Sequence, residues 1–270
     1  MVLVESFGYF FALVVGVILG LIGSGGSILA VPIFVYFFLM DEKLATAYSL
    51  FVVGFSALVG SAKQYSKGFI DFRTVLVFGI PAILGVSLVR LFLMPLLPDE
   101  LFKIGQIIVS RRMGILGLFA VVMVPAAFSM LAASKSPHTG HKISQINYNY
   151  PLFLVEGLIV GGVTGMIGAG GGFLIIPVLV VFGKIEIRVA IGTSLAIVTL
   201  KSLIGFFIGD VYNMEIDWPF LLSFTGIAGI GVLIGNFMQS LLEGPKLRKG
   251  FGYFLLLISF FIVYMEFLRP

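Results

Sequence analysis

Long uninterrupted apolar runs are the feature that most constrains how this chain can fold. Of its 270 residues, 59% are hydrophobic and 11% are charged, and the mean hydropathy is +1.15. Soluble domains carry about 25% charged residues, so this chain lacks the polar side chains to face water on all sides. A membrane-spanning helix needs about 20 apolar residues, and we therefore predict an all-α, polytopic helical membrane protein. The runs are 6–40, 44–66, 74–97, 113–133, 150–183, 189–209, 218–242 and 250–268.

Several other classes of protein are disfavoured by what the sequence contains. The apolar runs do not alternate as the strands of a membrane β-barrel do, and the N-terminus has no basic segment typical of a cleaved signal peptide. The net charge of +4 indicates basic loops of a membrane protein, not nucleic-acid binding. No phosphate-binding loop or hydrolase motif is present, so we expect no ATP, no cofactor and no enzyme activity. His138 and His141 are too few for a metal site.

Two of the runs, 6–40 and 150–183, are too long for one crossing, and each contains a glycine cluster. GLIGSGGSILAVP (20–32) matches GMIGAGGGFLIIP (165–177) at seven of 13 positions, 145 residues apart. The same spacing continues along the chain, for example from Ser49 to Ser194. We therefore predict two homologous membrane repeats, 1–134 and 150–270, joined by a polar linker, 135–149.

Each repeat is predicted to contain one long glycine-broken run and three spanning helices. The loop KQYSKGFIDFR of the first repeat is basic, whereas its counterpart GDVYNMEID in the second has no lysine or arginine. This difference indicates inverted repeats. With the N-terminus outside and both ends of each long run on one side, ten loop lysines and arginines lie inside and five outside, in agreement with the positive-inside rule. This count leaves open whether each long run is a re-entrant hairpin or two short crossings.

The glycine clusters are the predicted substrate site. Broken helices at membrane depth are tolerated where they line a cavity or are buried in protein, and paired breaks in two repeats point to a transporter binding site. The amides at a half-helix N-terminus favour an anion. For scattered glycines such as Gly161 and Gly226, close helix packing is the favoured interpretation. The predicted binding residues in the breaks are Gly23, Ser24, Gly25, Gly26, Gly168, Gly170, Gly171 and Gly172.

Three ionisable residues lie inside the apolar runs, where such residues are costly and usually functional. Lys201 is near the centre of 190–209, and either contacts a substrate anion or forms a structural ion pair. Arg90 lines the pathway or reaches the interface. Glu156 lies near the start of its run, as an interfacial residue or a proton relay. We consider Arg90 and Glu156 candidates for coupling transport to an ion.

Hydroxyl side chains follow both breaks in the next helix. Ser49 and Ser194 are equivalent under the repeat, and Thr193 precedes Ser194. Hydroxyl groups at such positions bond back to the preceding turn or contact a ligand. Because they recur in both halves, we predict that they contact the substrate.

The sequence around the second break resembles a known family. GGVTGMIGAGGGFLIIPVL followed by RVAIGTSLAIVTLKSLIGF is similar to the sulfite exporter TauE/SafE family, and GVILGLIGSGGSILAVPIF with LATAYSLFVVGFSALVG is a looser copy. The resemblance implies a multi-pass permease in the cytoplasmic membrane that moves sulfite, sulfonates or related sulfur-containing anions. It adds Ser202 to the candidate substrate-binding residues. The first repeat departs from the pattern at Tyr48, which replaces a threonine, and at Ser56, which stands where the second has Lys201.

These observations together predict a secondary transporter of small sulfur-containing anions such as sulfite, thiosulfate or sulfonates, and we expect proton coupling. The alternatives are an anion channel, or a transporter of an unrelated small organic anion. An intramembrane enzyme is disfavoured because no nucleophile–base pair is recognisable. The lipid bilayer and the small anionic substrate are the expected partners.

Overall fold

The computed structural model describes residues 2–104, 107–133, 150–181, 183, 185–241 and 244–268. It is an almost entirely helical structure, as predicted. The helices are α1 Val2–Ile22, α2 Ala30–Pro32, α3 Glu42–Ser66, α4 Phe72–Leu88, α5 Met94–Leu96, α6 Arg111–Ala133, α7 Tyr150–Ile167, α8 Gly172–Val181, α9 Ile187–Gly209, α10 Trp218–Leu241 and α11 Gly244–Val263. The linker predicted at 135–149, with His138 and His141, lies outside the described residues.

Six of the described helical segments are long and apolar enough to span a membrane, which confirms that part of the prediction. Two of them start at aspartate N-caps, the residue type that satisfies free amides at a helix start. Asp41 accepts the Lys43 amide at 2.9 Å, and Asp71 accepts the Arg73 amide at 3.1 Å. The spanning segments are Glu42–Ser66, Phe72–Leu96, Arg111–Ala132, Ile187–Gly209, Trp218–Gln239 and Lys249–Leu268.

Both over-long runs are interrupted at their glycine clusters. In the first, α1 is followed by a 3₁₀ segment, Gly23–Leu29, then α2 and a π-helical turn, Ile33–Phe37. In the second, α7 ends at Ile167 and α8 begins at Gly172. The second limb is short in each run: α8 has 10 residues, about 15 Å of helix, against a hydrocarbon core of about 30 Å. The returning limb therefore covers half of a bilayer.

The two halves of the chain pack crosswise through close backbone contacts. Helix α1 lies against α10, and α7, its equivalent under the predicted repeat, lies against α4. A Cβ atom built onto Gly16 would lie 2.7 Å from the Ala228 carbonyl carbon, and one on Gly161 would lie 2.6 Å from Ala82 Cα. These contacts confirm the packing interpretation for Gly161. Gly226 differs, because a Cβ there would meet nothing within 4 Å.

Helices α3 and α9, which are equivalent under the repeat, pack against each other at the centre. A Cβ on Gly192, near the start of α9, would lie 3.2 Å from Cβ of Gln64, near the end of α3. Gly54 lies against Leu203 in the same way, farther along each helix. The pair is therefore antiparallel.

A matched pair of hydrogen bonds joins each central helix to the N-terminus of a helix from the opposite half of the chain. The Asp71 amide donates to Thr193 Oγ1 at 2.9 Å, and the Asp217 amide donates to Tyr48 Oη at 2.7 Å. Tyr48 is the residue that departs from the family threonine. Its phenolic oxygen accepts the equivalent backbone amide, so the substitution retains the bond.

A two-stranded antiparallel hairpin, β1 Glu100–Ile104 and β2 Ile107–Ser110, connects α5 to α6 and was not predicted. Arg111, which follows it, donates to Glu42 at 2.6 Å and also contacts Asp99. Arg112 donates to Glu266 at 3.0 Å. In the predicted topology both arginines lie outside, on the side with fewer basic residues. In the structure each is neutralised by an ion pair with a carboxylate.

Candidate functional site

The second break is a tight turn that depends on glycine. Gly168, Gly170 and Gly171 have φ values of +78°, +62° and +72°, in the left-handed region that residues with a Cβ rarely occupy. The turn closes with the Gly168 amide bonded to the Thr164 carbonyl at 2.9 Å. Helix α8 begins directly after it at Gly172. The Leu174 and Ile175 amides donate to the Gly171 carbonyl at 3.0 and 3.1 Å, whereas the Gly172 and Phe173 amides precede any acceptor within the helix.

Lys201 lies beside this turn with its ammonium group buried. The residue is fully buried in α9, and Nζ donates to Thr164 Oγ1 in α7. The Thr164 hydroxyl in turn donates to the Val160 carbonyl at 2.6 Å. A Cβ on Gly171 would lie 2.7 Å from Thr164 Cβ. The break, the threonine and the lysine therefore form one cluster, although sequence reasoning did not select Thr164.

The first break supplies Ser27. Gly23 begins this 3₁₀ segment with φ of +75°. Ser27 is fully buried, and its Oγ has no hydrogen-bond partner among the described residues. Ser24, Gly25 and Gly26 belong to the same segment, and only their backbone is described.

The two breaks meet at Gly170 and Ser27. A Cβ built onto Gly170 would lie 3.5 Å from Ser27 Cβ and 3.2 Å from Val198 Cγ1, and α8 packs against the first break. Their initial glycines are far apart, because Gly23 contacts Ile191 near the start of α9 and Gly168 contacts Thr46 near the start of α3. These points lie at opposite ends of an antiparallel helix pair, so only the later part of each break reaches the centre.

Four buried serines near the breaks or in the central helices have hydroxyl groups without a partner among the described residues. They are Ser27, Ser49, Ser56 and Ser202. An unpaired buried hydroxyl is costly, and a polar ligand would satisfy such groups. Ser56 and Ser27 were not selected as site residues, although Ser56 is the repeat equivalent of Lys201 and Ser27 immediately follows the predicted glycines.

The predicted hydroxyls of Thr193 and Ser194 already have protein partners. Thr193 accepts the Asp71 amide, and Ser194 donates to the Ile191 carbonyl at 2.9 Å. Thr193 therefore links α9 to the start of α4, and Ser194 bonds back to the preceding turn of its own helix. Ser49, the equivalent of Ser194, lacks a described partner and is buried.

The remaining ionisable candidates lie apart from Lys201. Arg90 is fully buried and forms an ion pair with Asp210 at 3.1 Å. Glu156 is partly buried in α7, and its Oε2 has no partner among the described residues. Within those residues, no group of three or more His, Cys, Asp or Glu side chains could hold a metal ion.

Comparison with known proteins extends over nearly the whole chain. The model of a family described as "Sulfite exporter TauE/SafE" matches residues 9–262. A "Probable membrane transporter protein" of Xylella fastidiosa (strain Temecula1) is 28% identical over 93% of this chain and 91% of its own length. A protein with a similar description from Methanocaldococcus jannaschii is 30% identical over 72% of this chain and 69% of its own. No solved structure matches.

Proposed function

The chain belongs to the sulfite exporter TauE/SafE family of membrane transporters, and on that premise we propose that it is a secondary carrier of small sulfur-containing anions. Sulfite, thiosulfate and sulfonates are the proposed substrates, and protons are the proposed coupling ion. The protein itself is a multi-pass membrane transporter and not an enzyme. The proposal concerns the identity of the solute, its binding site and its driving force.

The observation that carries this proposal is the buried lysine beside two helix breaks that contact each other. Lys201 Nζ has a hydroxyl, and no carboxylate, as its described partner, so its positive charge is available to an anion. At an effective dielectric constant of about 20, two unit charges 4 Å apart attract by about 4 kcal/mol. This attraction corresponds to roughly three powers of ten in the dissociation constant.

We assign the substrate contacts to Lys201, to the second break and to the buried hydroxyls that have no described partner. Lys201 provides charge, Gly170 and Gly172 provide backbone amides just before and at the start of α8, and unpaired hydroxyls provide further donors. Those hydroxyls belong to Ser27, Ser49, Ser56 and Ser202. Gly23 and Gly168 shape the turns that bring the breaks to this point.

Inverted repeats, 1–134 and 150–270, are the proposed basis of alternating access. The antiparallel packing of the equivalent helices α3 and α9 supports a two-fold axis in the membrane plane. Equivalent contacts, such as Gly16 with Ala228 and Gly161 with Ala82, support the same symmetry. In such a carrier one repeat rocks against the other around a central site.

Purified protein in proteoliposomes tests the carrier proposal. We expect saturable uptake of radiolabelled sulfite that is accelerated by unlabelled sulfite on the opposite side and changes with an imposed pH gradient. A channel would conduct sulfite without that acceleration. Absence of flux for sulfite, thiosulfate and taurine alike would contradict the proposed substrate class.

Lys201→Met tests the site, with Leu200→Met as its matched control. Leu200 is the adjacent residue in α9 and is 44% exposed, so the control adds the same side chain on the lipid-facing side. We expect Lys201→Met to lower sulfite affinity by about three powers of ten and Leu200→Met to leave it unchanged. Unaltered uptake by Lys201→Met would remove the lysine from the binding site.

A further inference from the structure

Arg90 is a buried cation at one end of the molecule, separate from Lys201. It lies in a π-helical turn, Val89–Leu93, that follows α4. Such turns are rare and frequently occur at functional sites. Its partner Asp210 follows the last residue of α9, nine positions after Lys201, which places it about 13 Å farther along that helix.

The guanidinium of Arg90 is only partly satisfied. Nη1 donates to Asp210 Oδ1 at 3.1 Å and to Thr46 Oγ1 at 3.3 Å. Nε and Nη2 are buried and have no hydrogen-bond partner among the described residues, and Asp210 Oδ2 also has none. Both side chains of the pair are almost fully buried, at 0% and 2% exposure, so bulk water does not satisfy these atoms in this conformation.

The unpaired nitrogens form one recognition edge. Nε and Nη2 lie side by side in the planar guanidinium, and this edge matches two oxygens of an oxyanion bidentately. The Asp210 contact uses only Nη1, on the other side of the group. Binding of an oxyanion at the free edge therefore does not require the Arg90–Asp210 contact to break.

The position of Arg90 connects it to the second helix break. Thr46, which accepts from Nη1, lies against Gly168: a Cβ on that glycine would lie 2.6 Å from Thr46 Cα. The Thr46 hydroxyl donates its own proton to the Lys43 carbonyl at 2.9 Å. Its oxygen therefore acts as the acceptor for Arg90 Nη1. The arginine thus stands at the end of the break that is remote from Ser27.

The other end of the molecule carries no equivalent charge. Under the repeat that relates Asp71 to Asp217, Arg90 corresponds to Asn236. Asn236 is buried and accepts from Gln64 Nε2 at 3.5 Å, and Gln64 also donates to Gln239 at 2.9 Å. Neutral amides therefore stand where the other end has the ion pair, so the two ends of the proposed pathway differ in charge at this position among the described residues.

We propose that the free Nε–Nη2 edge of Arg90 is a second oxyanion-binding site, occupied by the transported anion at one end of its path to Lys201. The proposal rests on the proposed transport of small oxyanions. Asp210 and Thr46 orient the guanidinium, and the Asp210 carboxylate weakens anion binding through its negative charge. Release from the site is therefore easier than it would be from an isolated buried arginine.

Isothermal titration of the full-length protein in detergent with sodium sulfite, at constant ionic strength set by sodium chloride, tests this inference. The double variant Arg90→Gln/Asp210→Asn removes both charges together, so that no unpaired buried ion is left to unfold the protein. We expect two sulfite sites in the wild type and one in this variant. Circular dichroism and gel filtration establish that the variant is folded.

One further variant separates this site from the central one. Lys201→Met is expected to lose the central site and retain the Arg90 site. The inference is overturned if the double variant binds sulfite with wild-type stoichiometry and affinity. If Lys201→Met alone then abolishes sulfite binding, the proposed function stands without a second site at Arg90.

Discussion

Replacing Gly170 by alanine tests how tightly the second helix break packs against the central helices α3 and α9. Gly170 has φ of +62°, and an added methyl group would lie 3.5 Å from Ser27 Cβ and 3.2 Å from Val198 Cγ1, with a more severe overlap at Val53 Cγ1. The substitution therefore has two separate costs: backbone strain in the left-handed region and overpacking between the repeats.

Both costs can be estimated. A left-handed conformation costs a residue with a Cβ about 1–2 kcal/mol. Overpacking in a well-packed interior typically costs about 1–3 kcal/mol more. We therefore expect Gly170→Ala to lower the free energy of unfolding by about 2–5 kcal/mol.

Gly68 is the matched control for the backbone term. It also has a positive φ, +73°, but a Cβ there would meet nothing within 4 Å. Gly68→Ala should therefore lower the free energy of unfolding by only about 1–2 kcal/mol. Gly226→Ala, which adds a methyl group in open space within α10, controls for the side chain alone and should be neutral or stabilising by up to about 1 kcal/mol.

Unfolding by SDS titration in mixed micelles, followed by circular dichroism, measures the three variants under the same conditions. Sulfite uptake by the same proteins should fall for Gly170→Ala, because the added methyl group overlaps Val53 Cγ1 of α3 and displaces the second break, and remain near wild type for Gly68→Ala. Equal destabilisation by Gly170→Ala and Gly68→Ala would mean that Gly170 is not closely packed against α3 and α9, and the proposed central site would then be wrong.

Three other substitutions have defined expected outcomes. Tyr48→Phe removes the acceptor of the Asp217 amide and should lower the free energy of unfolding by about 1–3 kcal/mol, measured by the same titration. Ser27→Ala removes a buried hydroxyl without a described partner, so stability should be unchanged or increased while the KM for sulfite rises; an unchanged KM would exclude this hydroxyl from the site. Arg111→Gln breaks the ion pair with Glu42 and should speed proteolysis within the 100–110 hairpin without altering sulfite affinity, and wild-type cleavage rates would contradict that structural role.

The sequence alone was sufficient for the class of the protein and for its six spanning segments. Each segment is a run of apolar side chains, and a helix that satisfies its own backbone is the form such a run takes in hydrocarbon. The glycine clusters also identified both breaks, because those residues interrupt runs that were too long for one crossing. Lys201 was recognisable for a similar reason, since a charge at the centre of an apolar run is exceptional.

Other features depended on contacts between distant parts of the chain. In the sequence, nothing distinguishes Thr164 from other helical threonines or Asp210 from other loop carboxylates. Their roles follow from the tertiary contacts with Lys201 and Arg90. The same is true of the hydroxyl groups: Thr193 and Ser194 found backbone partners, whereas Ser27 and Ser56 did not. Whether a polar side chain is satisfied is decided by its neighbours in space.

The two breaks show most clearly which features follow from local sequence and which follow from tertiary packing. Their existence is local, because glycine and the length of the run determine where a helix stops. Their meeting at Gly170 and Ser27 is a tertiary result of the two halves of the chain packing crosswise, which no property of either segment specifies on its own. Local sequence thus determined which backbone is irregular, and only the packing of the halves decided which groups face one another, because those contacts join residues more than 140 positions apart.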